Sequence, residues 1–231
     1  MDDYQKIFLD LLFNKGTLKV DGEYMLKNKR VSPWFFNVGD LNDGQSLNVI
    51  GESFAKQVPL NTNIVFGPAY KGIPLAVATV IAIQSPVYGK VSYSTYRKEE
   101  KDHGEATGED LQKKVLIGAR IKDGDKITLV DDVFTDGGTK YDALNLLNKM
   151  ADNLIFNSLL VVIDRQEVNS NGENAIAKFS RETGIPVKPM ISALDVYDFL
   201  IEKNMNPQAH RIKKYLLDYG TDEVKKDFEK R

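Results

Sequence analysis

The sequence contains no cysteine and only two histidines, His103 and His210, among its 231 residues. The absence of cysteine excludes a disulfide framework, a thiolate metal site and a cysteine nucleophile, although it does not indicate a compartment. No apolar run reaches the roughly 20 residues that a membrane-spanning helix needs, and the first residues do not resemble a signal peptide. We therefore expect a cytoplasmic protein that contacts no membrane.

The sequence also lacks a marked excess of positive or negative charge. The 31 lysines and arginines are balanced by 33 aspartates and glutamates, which gives a net charge of −2. No global basic field exists to hold nucleic acid, so we predict no nucleic-acid partner, and any anion site must be local. The length and the 42% hydrophobic content allow one domain with a sizeable core.

Short buried runs alternate along the chain with segments of helical spacing. Helices are predicted over 3–14, 46–58, 73–83, 138–149, 174–183, 193–203 and 207–219, and strands over 31–37, 63–66, 87–96, 115–121, 126–130, 159–163 and 186–191. Such alternation predicts a mostly parallel α/β sheet flanked by helices. Ser46 is the candidate N-cap of the second helix. Residues 97–114 carry too few apolar side chains to pack into a core, and the polar tail 221–231 is predicted to fray.

The most informative segment is 127–139, an apolar strand that ends in Asp131 and Asp132 and continues into a small-residue loop before a helix. Backbone N–H groups from Thr135 to Thr139 would form an anion cradle at the start of that helix. The two carboxylates could accept hydrogen bonds from vicinal sugar hydroxyls at the strand's carboxyl end. This pattern indicates a ribose-phosphate site. The alternative is a surface turn with two solvated acids.

Two common nucleotide motifs are absent from the sequence. The GGTK segment has its lysine after the threonine, unlike G-x-x-x-x-G-K-[ST], and no G-x-G-x-x-G is present.

Several separated motifs together resemble a known family. VDDVFTDGGT is similar to the phosphoribosyl diphosphate (PRPP) signature of type I phosphoribosyltransferases. FGPAYKGIPLA, YRKEEKDHGE, SPWFFN and DRQE resemble the orotate-specific members of that family, in the same order along the chain. The resemblance runs from Tyr4 to about Leu200. It implies a type I phosphoribosyltransferase fold with a small N-terminal hood and a mobile catalytic loop.

The resemblance also implies residue roles in binding PRPP. The residues that match PRPP-binding positions are Lys27, Tyr70, Lys71, Arg97, Lys98, Lys101, His103, Asp131, Asp132, Val133, Phe134, Thr135, Asp136, Gly137, Gly138 and Thr139. By the same resemblance the peptide between Ala69 and Tyr70 is expected to be cis. Without it, the 67–72 segment would be interpreted as a plain connection with a solvated lysine.

The segment from Arg97 to Asp110 matches the family's catalytic loop, which closes over the neighbouring subunit's site and so implies a homodimer with shared sites. Arg97, Lys101 and His103 are the candidate catalytic residues, because cations would neutralise a diphosphate leaving group. The alternative for such a charged run is a disordered linker.

Orotate is expected to contact Phe35, Phe36, Thr135 and Arg165, since an arginine fork suits a planar anionic ring. Taken alone, the two phenylalanines would be core residues and the arginine a surface residue. Mg²⁺ is expected to bind through PRPP and water, without a dedicated set of protein ligands. Trp34 and His210 have no matching role and are interpreted as structural.

Two positions depart from the family pattern, which usually has an aliphatic residue at Phe134 and a small or hydroxyl residue at Asp136. We expect the Asp136 side chain to turn away from a bound phosphate and either cap the helix that follows or meet a cation such as Lys140.

The whole chain 1–231 is predicted to be one domain, with a hood of about 1–40 plus C-terminal elements, a core of about 45–200 and the tail 221–231. Two other functions remain open: a phosphoribosyltransferase for a purine or another base, and a PRPP-sensing regulator that binds nucleic acid.

Overall fold

The computed structural model describes residues 1–26, 28–83, 86–97 and 107–230 and has a mixed α/β fold. Its helices are α1 (Asp3–Asn14), α2 (Gly44–Ala55), α3 (Gly72–Ala82), α4 (Gly108–Val115), α5 (Gly138–Asn148), α6 (Ala175–Thr183), α7 (Ala193–Glu202), α8 (Asn206–Tyr219) and α9 (Asp222–Lys230). Its strands are β1 (Leu18–Lys19), β2 (Tyr24–Met25), β3 (Val31–Ser32), β4 (Phe35–Phe36), β5 (Ile64–Phe66), β6 (Ser92–Tyr96), β7 (Leu116–Gly118), β8 (Lys126–Val133), β9 (Ile155–Asp164) and β10 (Val187–Ser192).

Six strands form the central sheet in the order β10-β9-β8-β5-β6-β7. The strand pairs are parallel, except that β7 runs antiparallel to β6. The expected mostly parallel sheet is therefore confirmed. The strand expected over 115–121 is shorter, and it pairs with β6 rather than with β8 across the turn that joins them in sequence.

The core lies on both faces of this sheet, because neighbouring residues of a strand point to opposite sides. Ile127 and Leu129 of β8 pack with α5 and α6, whereas Val130 packs on the other face with α1, α2, α3 and the C-terminal helices. Burial on both faces explains why β8 and β9 are nearly continuous apolar runs. Two small antiparallel pairs, β1 with β4 and β2 with β3, lie outside the main sheet. The division of the chain into hood and core stays a prediction.

Helix α2 begins two residues earlier than predicted, at Gly44. Asp43, not Ser46, is the N-cap, and its carboxylate accepts the backbone N–H of Ser46 at 3.0 Å. Both residue types cap helices well, so the apolar spacing alone could not choose between them.

The expectation that 97–114 cannot pack into a core is wrong for its last residues. Helix α4 begins at Gly108, and its Leu111 is 1% exposed. Gln112 is also buried, but its side chain hydrogen-bonds the backbone of Ile121 and the carbonyl of Met150. A polar residue whose hydrogen bonds are all made inside the protein is tolerated in the core, which a hydrophobicity pattern does not show.

The expectation that the tail frays is also wrong. Helix α9 buries Val224 and Phe228, four residues apart on one face of an otherwise charged segment. The Phe228 ring meets the Tyr197 ring of α7 edge-on at a centroid distance of 5.0 Å. The described residues contain no helix long and apolar enough to cross a membrane.

We predict that Phe228→Ala lowers the free energy of unfolding by about 3 kcal/mol, because it opens a cavity between α7, α8 and α9. For a chain of this size that loss corresponds to about 6–12 °C in melting temperature, measurable by calorimetry. Lys230→Ala, an exposed change on the same helix, is the control and should leave the melting temperature unchanged. Equal melting temperatures for the two variants would show that α9 does not pack as described.

Candidate active site

The two strand-end carboxylates lie at the carboxyl end of β8 and each is paired with a lysine. Asp131 is 6% exposed, and its Oδ2 lies 2.6 Å from Lys140 Nζ in the first turn of α5. The Oδ2 of Asp132 lies 3.0 Å from Lys71 Nζ, in the connection between β5 and α3. Lysines from two different elements therefore converge on one pair of acids.

Burial has a direct effect on the acidity of this pair. The pKa of the Asp131 carboxyl is raised, chiefly because burial removes water from its ionised form. The Lys140 ammonium opposes this rise, and the neighbouring Asp132 carboxylate adds to it. Asp131 Oδ1 also accepts the Asp132 backbone N–H at 2.8 Å.

The small-residue loop follows directly and ends where α5 begins. Gly137 adopts φ +83°, and a Cβ there would come within 2.8 Å of the Phe134 ring, so both backbone and packing require glycine. The first N–H groups of a helix have no partner within the helix, and they lie at its positive end. The loop at the start of α5 is therefore suited to a phosphate.

Asp136 lies just before the start of α5, whose N-cap is Gly137. Its Oδ1 accepts the Gly138 N–H, the first of the helix, at 3.1 Å and lies 3.4 Å from Thr135 Oγ1. Lys140 pairs with Asp131 and not with Asp136. That Asp136 turns away from a bound phosphate stays a prediction. Phe134 is 5% exposed beneath the loop, with its ring edge-on to Phe179 of α6.

The connection from Gly67 to Gly72 folds back on itself after β5. A Cβ at Gly67 would collide with the Gly72 carbonyl oxygen, so the close approach requires glycine. The Ala69–Tyr70 peptide is cis, as expected. Tyr70 is 56% exposed at the rim, and Lys71 also lies 3.4 Å from Asn37 Oδ1. Lys71 thus joins the segment after β4 to the carboxylates of β8.

Arg165 follows β9 at the same edge of the sheet and is held on three sides. Its Nε donates to Glu167 at 2.7 Å, its Nη2 donates to Ser32 Oγ at 2.8 Å, and its guanidinium lies 3.9 Å from the centroid of the Trp34 ring. Sequence reasoning missed these three supporting residues as parts of the site and took Trp34 as structural only. The available signal was that all three lie inside the motif segments SPWFFN and DRQE.

The two phenylalanines of β4 point to opposite faces. Phe36 is 8% exposed, and its side chain packs in the core. Phe35 is half-buried, and its ring stacks on Tyr24 at a centroid distance of 5.7 Å. The alternation of side chains along a strand places the two rings on opposite faces. The contact of either residue with orotate stays a prediction.

Several predicted site residues lie outside the described part of the chain, namely Lys27, Lys98, Lys101 and His103. The segment predicted to be a mobile catalytic loop falls mainly in the same part. Arg97 is described: it is exposed, at the end of β6, and its backbone N–H donates to Val115 at 2.9 Å.

No group of three or more acidic or histidine side chains that could hold a metal ion occurs among the described residues. Both oxygens of Asp131 already accept hydrogen bonds. This arrangement is compatible with a magnesium ion held by the oxygens of PRPP and by water.

The parallel sheet places the ends of β5, β6, β8 and β9 at one edge. The Gly67–Gly72 connection, Arg97 and Arg165 directly follow β5, β6 and β9, and the carboxylate pair lies in the last residues of β8. Open α/β sheets bind their ligands at this edge. The motifs that the sequence separates are thus brought to a single site.

Comparison with known proteins gives close matches along the whole chain, although no family model matches it. It is 35% identical over 219 residues to the orotate phosphoribosyltransferase of Acinetobacter baumannii strain ACICU, covering 94% of this chain and 96% of the relative. It is 32% identical over 231 residues to that of Clostridium botulinum strain Alaska E43, covering 95% and 99%. The crystal structure of orotate phosphoribosyltransferase from Francisella tularensis matches with a TM-score of 0.76 at 30% identity, covering 93% of this chain and 100% of that one.

The fold is thus the type I phosphoribosyltransferase fold that the motifs indicated. Identity at this level along nearly the full length of each relative shows that the chain belongs to the orotate phosphoribosyltransferase family.

Proposed function

We propose that this chain transfers the phosphoribosyl group of PRPP to orotate, giving orotidine 5′-monophosphate and diphosphate in pyrimidine biosynthesis. The observation that carries the proposal is the lysine-paired carboxylates Asp131 and Asp132 beside a phosphate-type loop at the start of α5. Membership of the orotate phosphoribosyltransferase family supports the same reaction.

The carboxylate pair and the loop would hold the ribose 5-phosphate part of PRPP. The hydroxyls at C2 and C3 of the ribose would donate to Asp131 and Asp132. The 5′-phosphate would lie over residues 135–139, where backbone N–H groups and the hydroxyls of Thr135 and Thr139 face the helix start. These N–H and hydroxyl groups can bind the phosphate by hydrogen bonds, so the loop does not need a lysine.

The diphosphate part of PRPP would lie against the Gly67–Gly72 connection. Lys71 is half-exposed and already within reach of Asp132, so it can contact the ribose and diphosphate oxygens together. Arg97, Lys98, Lys101 and His103 would add cations from the segment that begins after β6. Their positive charges offset the charge that develops on the leaving group.

Orotate would bind between Arg165 and Phe35. Glu167, Ser32 and Trp34 fix the Arg165 guanidinium, so the N–H groups that these contacts leave available are oriented before the substrate arrives. A fixed guanidinium loses little side-chain entropy on binding an anionic ring. Phe35 supplies an aromatic edge, and Thr135 can donate to the base from the phosphate loop.

In the reaction, the C1′–O bond to diphosphate breaks and its electron pair leaves with diphosphate. The lone pair of the orotate ring nitrogen, which is anionic, forms the new C1′–N bond, so no strong general base is needed. Mg²⁺ bound to PRPP supplies further charge neutralisation at the diphosphate. The carboxylates keep the ribose in place while its ring gains positive charge, and exclusion of water prevents hydrolysis.

We predict that the purified protein consumes orotate, measured by absorbance, when PRPP and Mg²⁺ are present. Adenine or hypoxanthine in place of orotate should give no product, because Arg165 is set to receive an anion. The double variant Asp131→Asn/Asp132→Asn is the control for contaminating activity. Turnover of a purine base, or no turnover of any base together with binding to duplex DNA, would contradict the assignment.

A homodimer with shared sites is part of this proposal. Two apolar side chains, Ile81 at the end of α3 and Val87 in the short helix Pro86–Tyr88, are 63% and 70% exposed. Exposed apolar side chains of this kind suit contact with a second subunit. The cytoplasmic location stays a prediction.

If the catalytic loop serves the neighbouring site, mixing Lys101→Ala with Asp132→Asn should restore activity. Each mixed dimer then carries one site with both residues intact. Random exchange would place about a quarter of all sites in this state, so activity should approach that fraction of wild type. Mixed dimers no more active than the parents, after subunit exchange is confirmed by mass spectrometry, would show that the loop acts within its own subunit.

A further inference from the structure

The two lysines that pair with the strand-end carboxylates differ sharply in their surroundings. The Lys140 side chain is 7% exposed, whereas that of Lys71 is 51% exposed. One cation is therefore enclosed by the protein, and the other lies at the surface of the site.

Lys140 is fixed by more than the ion pair. Its Nζ donates to the Val133 carbonyl at 2.7 Å as well as to Asp131 Oδ2, and it lies 5.7 Å from the centroid of the Phe134 ring. Moving it would remove the cation from a buried carboxylate and a donor from the Val133 carbonyl, which is costly. Lys140 is thus a permanent neighbour of Asp131.

Lys71 has no such constraint. Its contacts are Asp132 Oδ2 at 3.0 Å and Asn37 Oδ1 at 3.4 Å, both at the rim of the site. A half-exposed lysine exchanges one acceptor for another at little cost, because water solvates the charge during the move. It is free to turn towards a diphosphate.

We infer that Lys140 is a positioning residue for PRPP, acting as the fixed counter-ion that keeps Asp131 ionised and oriented. This inference rests on the proposed contact between Asp131 and the ribose hydroxyls. With Lys140 in place, only Lys71 has to change partners when the substrate arrives. An ionised, oriented carboxylate accepts two ribose hydrogen bonds, while a protonated one accepts fewer.

Within the described part of the chain, the charged and titratable groups that face Asp131 come from four places. They are Lys140 of α5, the adjacent Asp132, Lys71 beyond Asp132, and Tyr96 of β6, whose pKa is raised by burial and by the Asp142 and Asp131 charges. Of these described groups, Lys140 alone places a cation directly on Asp131. Its removal leaves a buried carboxylate beside a like charge, which raises the carboxyl pKa.

The test compares PRPP binding by calorimetry between about pH 5 and about pH 9 in wild type, Lys140→Met, Lys140→Arg and Lys149→Met. In Lys140→Met the raised pKa of Asp131 leaves more of it protonated at a given pH. We expect this variant to bind PRPP at least about tenfold more weakly at neutral pH and to regain affinity as the pH rises. Lys140→Arg should stay within about threefold of wild type because it keeps the cation.

Lys149→Met makes the same replacement at an exposed position at the end of the same helix and should bind PRPP as wild type does. Lys140→Met with affinity within about threefold of wild type and an unshifted pH profile would overturn the inference. If Lys140 had only a structural role, Lys140→Met would bind PRPP more weakly without a shift in the pH profile. That outcome would also overturn the inference.

Lys140→Met could also fail to fold, and a stability measurement covers that case. The double variant Lys140→Met/Asp131→Asn carries no unpaired charge, so its melting temperature should exceed that of Lys140→Met alone. A double variant no more stable than the single one would overturn the inference.

Asp131→Asn separates this inference from the proposed function. If it keeps PRPP affinity, the ribose assignment is wrong and the inference falls with it. If it loses affinity while Lys140→Met does not, only the inference is wrong.

Discussion

Two carboxylates set side by side at the end of a buried strand repel each other and lose their hydration, and the site depends on how that repulsion is relieved. Asp131 and Asp132 are relieved by Lys140 and Lys71, from the start of α5 and from the connection after β5. The positions of both elements are therefore tied to the same pair of acids.

This arrangement balances the two acids with two lysines. A PRPP molecule brings several negative charges, so cations must be available without disturbing the acids that we propose hold the ribose. A buried lysine on Asp131 and a half-exposed one on Asp132 meet both needs, because one stays and the other can move. Arg165, which we propose contacts orotate, is also held in place by the protein itself. Glu167, Ser32 and Trp34 fix its guanidinium before a substrate arrives.

The sequence predicts the parts of the site that are continuous along the chain and misses those that form by packing. An apolar run, two acids and a small-residue loop are enough to place β8, the phosphate loop and α5. The Lys140 contact could not be predicted, because whether a lysine in a first helical turn points out or beneath the loop depends on the tertiary packing around Val133. Arg165 and Ser32 are 133 residues apart, so their contact is visible only in the fold. Helices α4 and α9 were not predicted for another reason. Each buries two apolar residues four positions apart in an otherwise charged segment, and two such residues are too few to reveal a helical hydrophobic pattern.

The most direct measurement is a crystal structure of the protein with PRPP and Mg²⁺. The account predicts that the ribose hydroxyls lie within hydrogen-bond distance of Asp131 and Asp132, that Lys140 keeps its contact with Asp131, and that Lys71 has moved from Asp132 to the diphosphate. A ribose bound away from the two carboxylates, or a Lys140 that has left Asp131 while Lys71 stays on Asp132, would contradict it.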